Sequence, residues 1–274
     1  MAELLGGDTE LVIVQTTGDR RADEPVHRIG GTGVFVKEVQ EAVLEERADL
    51  AVHSAKDLPA ETPEGLTLAA VPERADARDA LVGSTLAALP TGAVVATGSV
   101  RRRAQLAALR PDIGFAELRG NIPTRLDKAE GFDAIVVAAA ALDRLDLAAR
   151  IAQRLSFEEM LPQVGQGALA VECRVDDVEA RERLREVDDR DAHAAVTSER
   201  AFLAELGGGC SLPVGAHAQV IEGPDGDGGA VRIEGLIASD DGRVIRRLST
   251  IGVDGAEAGC ATAAALTSMF EELG

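Results

Sequence analysis

Lysine is nearly absent from this 274-residue chain: of 28 basic residues only Lys37, Lys56 and Lys128 are lysines, and the rest are arginines. Acidic residues outnumber basic ones, for a formal net charge of −19. A surface of that sign repels phosphate backbones, so no nucleic-acid partner is expected. Cysteine is scarce too. Three cysteines with no CxxC spacing give neither a disulfide framework nor a zinc site, so no metal is expected and the pattern fits a reducing compartment. Long apolar runs are missing: the longest, Ile135 to Leu142, cannot span a bilayer, and Met1-Ala2-Glu3 lacks a basic leader. A cytoplasmic protein with no membrane partner is the expectation. Acid excess with so little lysine suits a salt-loaded cytoplasm, where screening relieves carboxylate repulsion, and equally suits a genome whose codons favour Arg and Asp.

The chain is long enough for two or three domains, and its hydrophobic content of 46% is ample for buried cores. Its most informative feature is one thiol. Cys210 follows Gly207-Gly208-Gly209 and precedes Ser211-Leu212-Pro213, a setting in which glycines let a bulky partner approach the backbone and nothing shields the sulfur. Cys173, in the strand-like run Ala168 to Cys173, and Cys260, in an apolar C-terminal helix, read instead as packing residues.

Apolar strands alternate with amphipathic helices through the first two thirds. Leu11 to Gln15, Leu50 to His53 and Leu66 to Val71 read as strands, with a helix from Phe35 to Arg47, and predict a mostly parallel sheet covered by helices. After Pro72 to Arg78 a second α/β unit has strands at Ala93 to Ala96, Phe115 to Leu118 and Ala134 to Ala138, with helices near Arg102 to Leu109, Thr124 to Ala129 and Ala139 to Leu145. The last third changes pattern. A helix from Ala192 to Leu206 leads into the cysteine loop, then come strands at Ala216 to Ile221, Val231 to Ser239 and Val244 to Ile251 and a helix from Ala256 to Leu273, which predicts a small α+β domain.

Two α/β units imply a cleft, and arginines mark its contents. Ser99-Val100-Arg101-Arg102-Arg103 follows a strand and opens a helix, where free N–H groups favour an anion and arginines oppose the macrodipole. A negatively charged ligand is the reading these arginines favour, with a solvated basic face as the alternative. Arg119, Arg125 and Arg144 also fall at element ends, and the planar guanidinium fork suits a multiply carboxylated ligand. Lys56 and Asp57 follow a buried strand, where α/β proteins place ligand groups, and a carboxylate there can stabilise a cation or move a proton. His53 and Ser54 are adjacent on a strand end and point to opposite faces, so a relay between them is not expected and His53 reads as structural.

Six segments occur in the order and approximate spacing of one family: Gly30-Gly31-Thr32-Gly33-Val34-Phe35-Val36-Lys37-Glu38, His53-Ser54-Ala55-Lys56-Asp57-Leu58-Pro59, Ser99-Val100-Arg101-Arg102, Leu118-Arg119-Gly120-Asn121, Pro162-Gln163-Val164-Gly165-Gln166-Gly167 and Gly208-Gly209-Cys210. From Leu11 onward the chain resembles the porphobilinogen deaminases, also called hydroxymethylbilane synthases.

That resemblance implies two periplasmic-binding-protein-like α/β domains, residues 1–73 with 167–186 and residues 78–162, and a C-terminal α+β domain over 190–274. It implies a monomer whose Cys210 holds a dipyrromethane primer through a thioether. Porphobilinogen loses ammonia, the primer's free α-carbon takes up the resulting unit, and after four additions water releases a linear tetrapyrrole. Asp57 matches the catalytic aspartate and, with Lys56, Ser99, Arg101 and Arg102, the cofactor-binding positions; Arg28, Arg119, Arg125 and Arg144 match substrate-carboxylate positions. Thr32 departs from the lysine frequent there. The family opens with a strand, an Arg-x-Ser loop and a helix; Met1 to Asp8 matches that helix's tail, so the strand and loop are expected to be missing from this sequence. Three alternatives remain at this stage: a truncated, inactive deaminase, a non-catalytic binder of the same two-lobed fold, which has no use for Cys210, and a cysteine-nucleophile hydrolase with His193 or His217 as base.

Overall fold

The computed structural model describes residues 1–6, 9–15, 36–207, 213–223 and 229–271. Arg28, Cys210 and most of the 30–38 segment lie outside the described residues. Three sheets organise the remainder.

The first contains β1 (Ala51–Ser54), β2 (Leu66–Ala70) and β8 (Leu169–Arg174) in the order β1-β8-β2, with both pairings antiparallel. This corrects the mostly parallel sheet expected here. The central strand is contributed by chain returning a hundred residues later, and consecutive-element patterns cannot reveal its direction. Helix α1 (Lys37–Leu44) packs on this sheet through Val43, with Ala51 and Leu66 beneath it. Leu11 to Gln15 is not a strand: Leu11 and Ile13 are 83% and 91% exposed. A β-rich composition forms a strand only where a neighbour takes up its backbone groups, and no described strand lies beside it. Ala2–Leu5 makes one helical turn, with Met1 and Leu5 against the Val171–Leu184 cluster.

The second sheet has five strands in the order β5-β4-β6-β3-β7. Strands β4 (Val94–Ala96), β5 (Gly114–Ala116) and β6 (Ala134–Ala138) run parallel, while β3 (Asp79–Val82) is antiparallel to both β6 and β7 (Ile151–Arg154). Helices α2 (Val100–Leu109), α3 (Ile122–Lys128) and α4 (Ala139–Asp143) connect them. All five residues of β6 are buried, as a central strand covered on both faces requires. Sequence periodicity missed β3 and β7, which are four residues each, and also α5 (Val178–Leu184).

The last sheet is a meander of β9 (Val214–Glu222), β10 (Gly229–Ala238) and β11 (Ile245–Gly252), backed by α6 (Arg190–Glu205) and α7 (Gly255–Glu271). Phe202, Ile233 and Leu266 form its fully buried centre. Gly235 is required there, because a Cβ would stand 2.6 Å from the Phe202 ring. Two adjacent crossovers, residues 71–78 and 155–168, join the α/β lobes, and Ala75 donates to Gly167 O at 3.1 Å between them. Cys173 is buried in β8 and Cys260 partly buried in α7, the packing roles expected of both.

Candidate active site

The site grows from the end of β1. Beyond Ser54 the chain makes one 3-10 turn, Ala55–Asp57, and Leu58 leaves it with extended torsions because the following Pro59 disfavours helical backbone before it. Ala55 N donates to Ala168 O at 3.0 Å, which pins the turn to the second crossover. Gly165, at a φ of +72°, lets that crossover pass so close that a Cβ would meet Ala55 C at 2.8 Å. Gln163 Nε2 donates to Lys56 O at 3.0 Å. Lys56 and Asp57 therefore sit on backbone fixed from two directions.

Their electrostatics differ from those of surface residues. Burial lowers the Lys56 ammonium to about 8, and the positive charge of Arg102 adds to the effect against the pull of Asp57 and Asp79. Asp57 is exposed to solvent, yet surrounding protein desolvates its carboxyl enough to raise the pKa, opposed by Lys56 and His53. Because water reaches it, the consequence is easier protonation rather than a cost to folding. His53 is buried with Nε2 3.2 Å from Glu172 Oε2, the structural place expected for it.

The second lobe supplies the arginines. Ser99 caps α2, its Oγ accepting from Arg102 N at 3.4 Å. Arg101 and Arg102 are 4% and 6% exposed, and the anion they face is the chain's own Asp79. Arg101 Nη1 donates to Asp79 Oδ2 at 2.8 Å, and Arg102 donates to Oδ1 from Nη2 at 2.7 Å and Nε at 3.0 Å. Gln166 Nε2 on the second crossover adds a donor at 2.9 Å. Burial alone would raise the Asp79 pKa; the two guanidiniums overcome that and hold it well below the usual carboxylate range. Neither Asp79 nor Gln166 carried an expectation. Gln166 lies inside a segment shared with the resembled family, whereas an aspartate opening a four-residue strand gives no periodic signal.

Arg125 projects from α3, which Asn121 caps by accepting from Thr124 N at 2.9 Å, and its Nε donates to Gly120 O at 2.7 Å. Among the described residues no carboxylate pairs with it. Its pKa is lowered by burial and by two like charges, Arg102 and Arg119. Arg119 itself reaches Glu117 at 3.4 Å on the surface. Arg144 donates to Gly167 O at 3.2 Å and lines a small pocket with Ser54, Lys56 and Ala168. Lys56, Arg101 and Arg102 form one group with Asp57 and Asp79, Arg125 approaches it from α3 and Arg119 from the loop before α3, and Arg144 lies beside Lys56 at the C-terminal cap of α4. His193 and His217 stay apart: His193 Nδ1 pairs with Asp188 at 2.7 Å, and His217 stacks on Phe157 with ring centres 3.9 Å apart.

The C-terminal domain meets this group at the start of β9. Gly215 packs so closely that a Cβ would lie 2.9 Å from Pro162 O and 3.3 Å from Arg101 Cδ, and Ala216 N donates to Pro162 O at 3.1 Å. The described chain resumes at Pro213, two residues before this contact with Arg101.

Two family models cover nearly all of this arrangement: the porphobilinogen deaminase dipyromethane cofactor binding domain matches residues 1–182, and the porphobilinogen deaminase C-terminal domain matches residues 193–267. The chain belongs to the porphobilinogen deaminase family. Porphobilinogen deaminase of Brevibacillus brevis is 46% identical over 264 residues, 94% of this chain and 84% of that protein. The Roseiflexus sp. porphobilinogen deaminase is 51% identical over 238 residues, 85% and 77% of the two chains. Among solved structures, the Bordetella pertussis BvgS VFT2 domain matches at a TM-score of 0.33 and 19% identity, covering 61% of this chain and 72% of that one. A periplasmic His/Glu/Gln/Arg/opine family-binding protein from Silicibacter pomeroyi matches at 0.29 and 13%, covering 55% and 67%.

Proposed function

We propose that this chain is a transferase of porphyrin biosynthesis, a hydroxymethylbilane synthase that joins four porphobilinogen units head to tail with loss of ammonia and releases the linear tetrapyrrole by hydrolysis. The observation that carries this reading is the surplus of positive charge on the second-lobe side of the cleft. In a chain of net charge −19, burial with the neighbouring charges of Arg102 and Arg119 lowers the pKa of Arg125, burial with Arg102 lowers that of Lys56, and no described carboxylate pairs with Lys56, Arg125 or Arg144. Crowding cations at a cost is accounted for by a ligand rich in carboxylates, and each porphobilinogen carries two.

The same donors fit a dipyrromethane, whose four carboxylates require several cations at fixed spacing. Ser99 and Lys56 would hold those groups beside Arg101 and Arg102, whose two positive charges Asp79 neutralises only by half, with Cys210 as the covalent anchor. When bound, the group supplies the nucleophilic pyrrole carbon to which each new unit is added. Arg119, Arg125, Arg144 and Arg28 would orient the incoming acetate and propionate arms. Asp57, on its pinned turn, offers a carboxylate to pyrrole N–H groups and to the positive charge that develops as ammonia leaves.

We read the protein as three domains, residues 1–73 with 167–186, 78–162 and 190–274, and as a cytoplasmic monomer that works on neither nucleic acid nor membrane. No described helix is long and apolar enough to cross a membrane. The acid excess suits a high-salt cytoplasm, in which case the melting temperature rises from dilute buffer to molar potassium chloride. The function is tested by incubating the purified chain with porphobilinogen: ammonia and a linear tetrapyrrole are expected together, and binding without ammonia release would leave only a carboxylate receptor.

A further inference from the structure

Arg144 owes its place in the cleft to a short element. Helix α4 runs only from Ala139 to Asp143, and Arg144 is its C-terminal cap, with its N–H donating to Ala140 O at 3.1 Å. A helix of five residues closes few backbone bonds of its own, so the position of its last turn is set by what surrounds it.

What surrounds it is a set of charges outside the cleft group. Asp143, the residue before Arg144, accepts from Arg154 at both oxygens, Oδ1 from Nη2 at 2.7 Å and Oδ2 from Nη1 at 3.1 Å. Arg154 is the last residue of β7, where the second crossover begins, and its Nη1 also donates to Asp76 Oδ2 on the first crossover at 2.8 Å. Arg78 holds Asp76 in turn, with Nε 2.9 Å from Oδ1 and Nη2 2.8 Å from Oδ2. These side chains are partly buried, and the forked geometry sets them apart from single-point surface pairs.

The contacts close a ring. Gly167 O on the second crossover accepts from Ala75 N at 3.1 Å and from Arg144 Nη2 at 3.2 Å. Ala75 precedes Asp76, Asp76 pairs with Arg154, Arg154 with Asp143, and Asp143 precedes Arg144. The guanidinium of Arg144 thus hangs on one crossover, while its backbone is tied through Arg154 to the other.

We propose that Arg154 is a positioning residue for Arg144: by joining Asp143 to Asp76 it fixes the end of α4 against the crossovers and keeps the Arg144 guanidinium beside Lys56, ready for a carboxylate arm of porphobilinogen. The inference rests on the function proposed above. Arg154 is committed to the two carboxylates and acts only through Arg144. Without it Asp143 loses the donors that hold it, and the cap of α4 is free to shift.

The test is steady-state kinetics with porphobilinogen, alongside melting temperature, on the purified chain and its variants. Arg154→Met keeps the aliphatic stem and should raise KM by about fivefold, the scale of one partly exposed ion pair, with kcat changed by less than about twofold. Arg154→Lys keeps the charge but cannot fork across both carboxylates, and should recover only part of the loss. Asp143→Asn leaves the pair between Arg154 and Asp76 in place and should raise KM in the same direction, which keeps the proposal testable if Arg154→Met does not fold. Arg144→Gln decides the mechanism: in that background Arg154→Met should leave KM where Arg144→Gln alone puts it, because nothing remains to be positioned. KM effects that multiply in the double variant overturn the proposal, as does an Arg154→Met chain that melts earlier with KM unchanged. No turnover by the unaltered chain overturns the function and this proposal with it, whereas turnover whose KM is indifferent to Arg154 overturns the proposal alone.

Discussion

Arg102 donates from Nη2 to Oδ1 of Asp79 at 2.7 Å, with both side chains buried. Arg101 takes the second oxygen of that carboxylate and Gln166 shares the first, so one aspartate ties together the helix that carries the arginines, the first strand of the second lobe and the returning crossover. Asp79→Ala would leave two buried guanidiniums without their anion. We expect a loss of about 3–5 kcal/mol in urea unfolding. Since the folded-state pKa of Asp79 is depressed, its stabilising contribution is complete above the ordinary carboxylate value near 4 and is withdrawn as pH falls below it. A variant as stable as the parent at pH 7 would show that the arginines are satisfied by other groups.

Asp57→Asn keeps the shape of the turn and removes its charge. Turnover should fall by about 100-fold or more while porphobilinogen binding changes little, because the lost interaction strengthens only as positive charge develops. Single-turnover measurements separate the two; weakened binding with a normal chemical step would make Asp57 a positioning residue.

Lys56 titrates near 8, so it is mostly charged at pH 7 and loses its charge as pH rises through that value. The KM for porphobilinogen should climb above pH 8, with kcat less affected. Lys56→Arg holds the charge at all these pH values and should flatten the climb, and an unchanged profile in that variant would assign it to another group.

Burial of His217 lowers its pKa to about 4 from an ordinary value near 6.5, against the attraction of Glu199. Between those values the unfolded chain binds a proton that the folded chain does not, so stability is complete above pH 6.5 and declines as pH falls towards 4. His217→Phe, which preserves the stack on Phe157, should reduce the decline in melting temperature across that window.

The α/β character, the strand Ala134–Ala138 at its observed limits, the C-terminal meander and the surface arginines were legible in the sequence, because each follows from local periodicity or from a residue type at an element end. What escaped depends on distant chain. The direction of the first sheet is set by β8 returning from the second lobe, and Leu11 to Gln15 has strand composition but no described strand to pair with. Arg101 and Arg102 were legible as anion-facing, but not that Asp79, twenty-two and twenty-three positions away, pairs with them in the fold. A buried ion pair has no signature in spacing, since only the packed structure decides which charges lose water together.

The most direct test of the account is the intact mass of the purified chain before and after Cys210→Ser. The unaltered chain should carry a covalent increment of two linked pyrrole units that survives denaturation, and the Cys210→Ser chain should lack both the increment and tetrapyrrole synthesis. An unmodified chain, or a Cys210→Ser variant that still makes tetrapyrrole, would contradict the assignment of Cys210 as the anchor and with it the proposed mechanism.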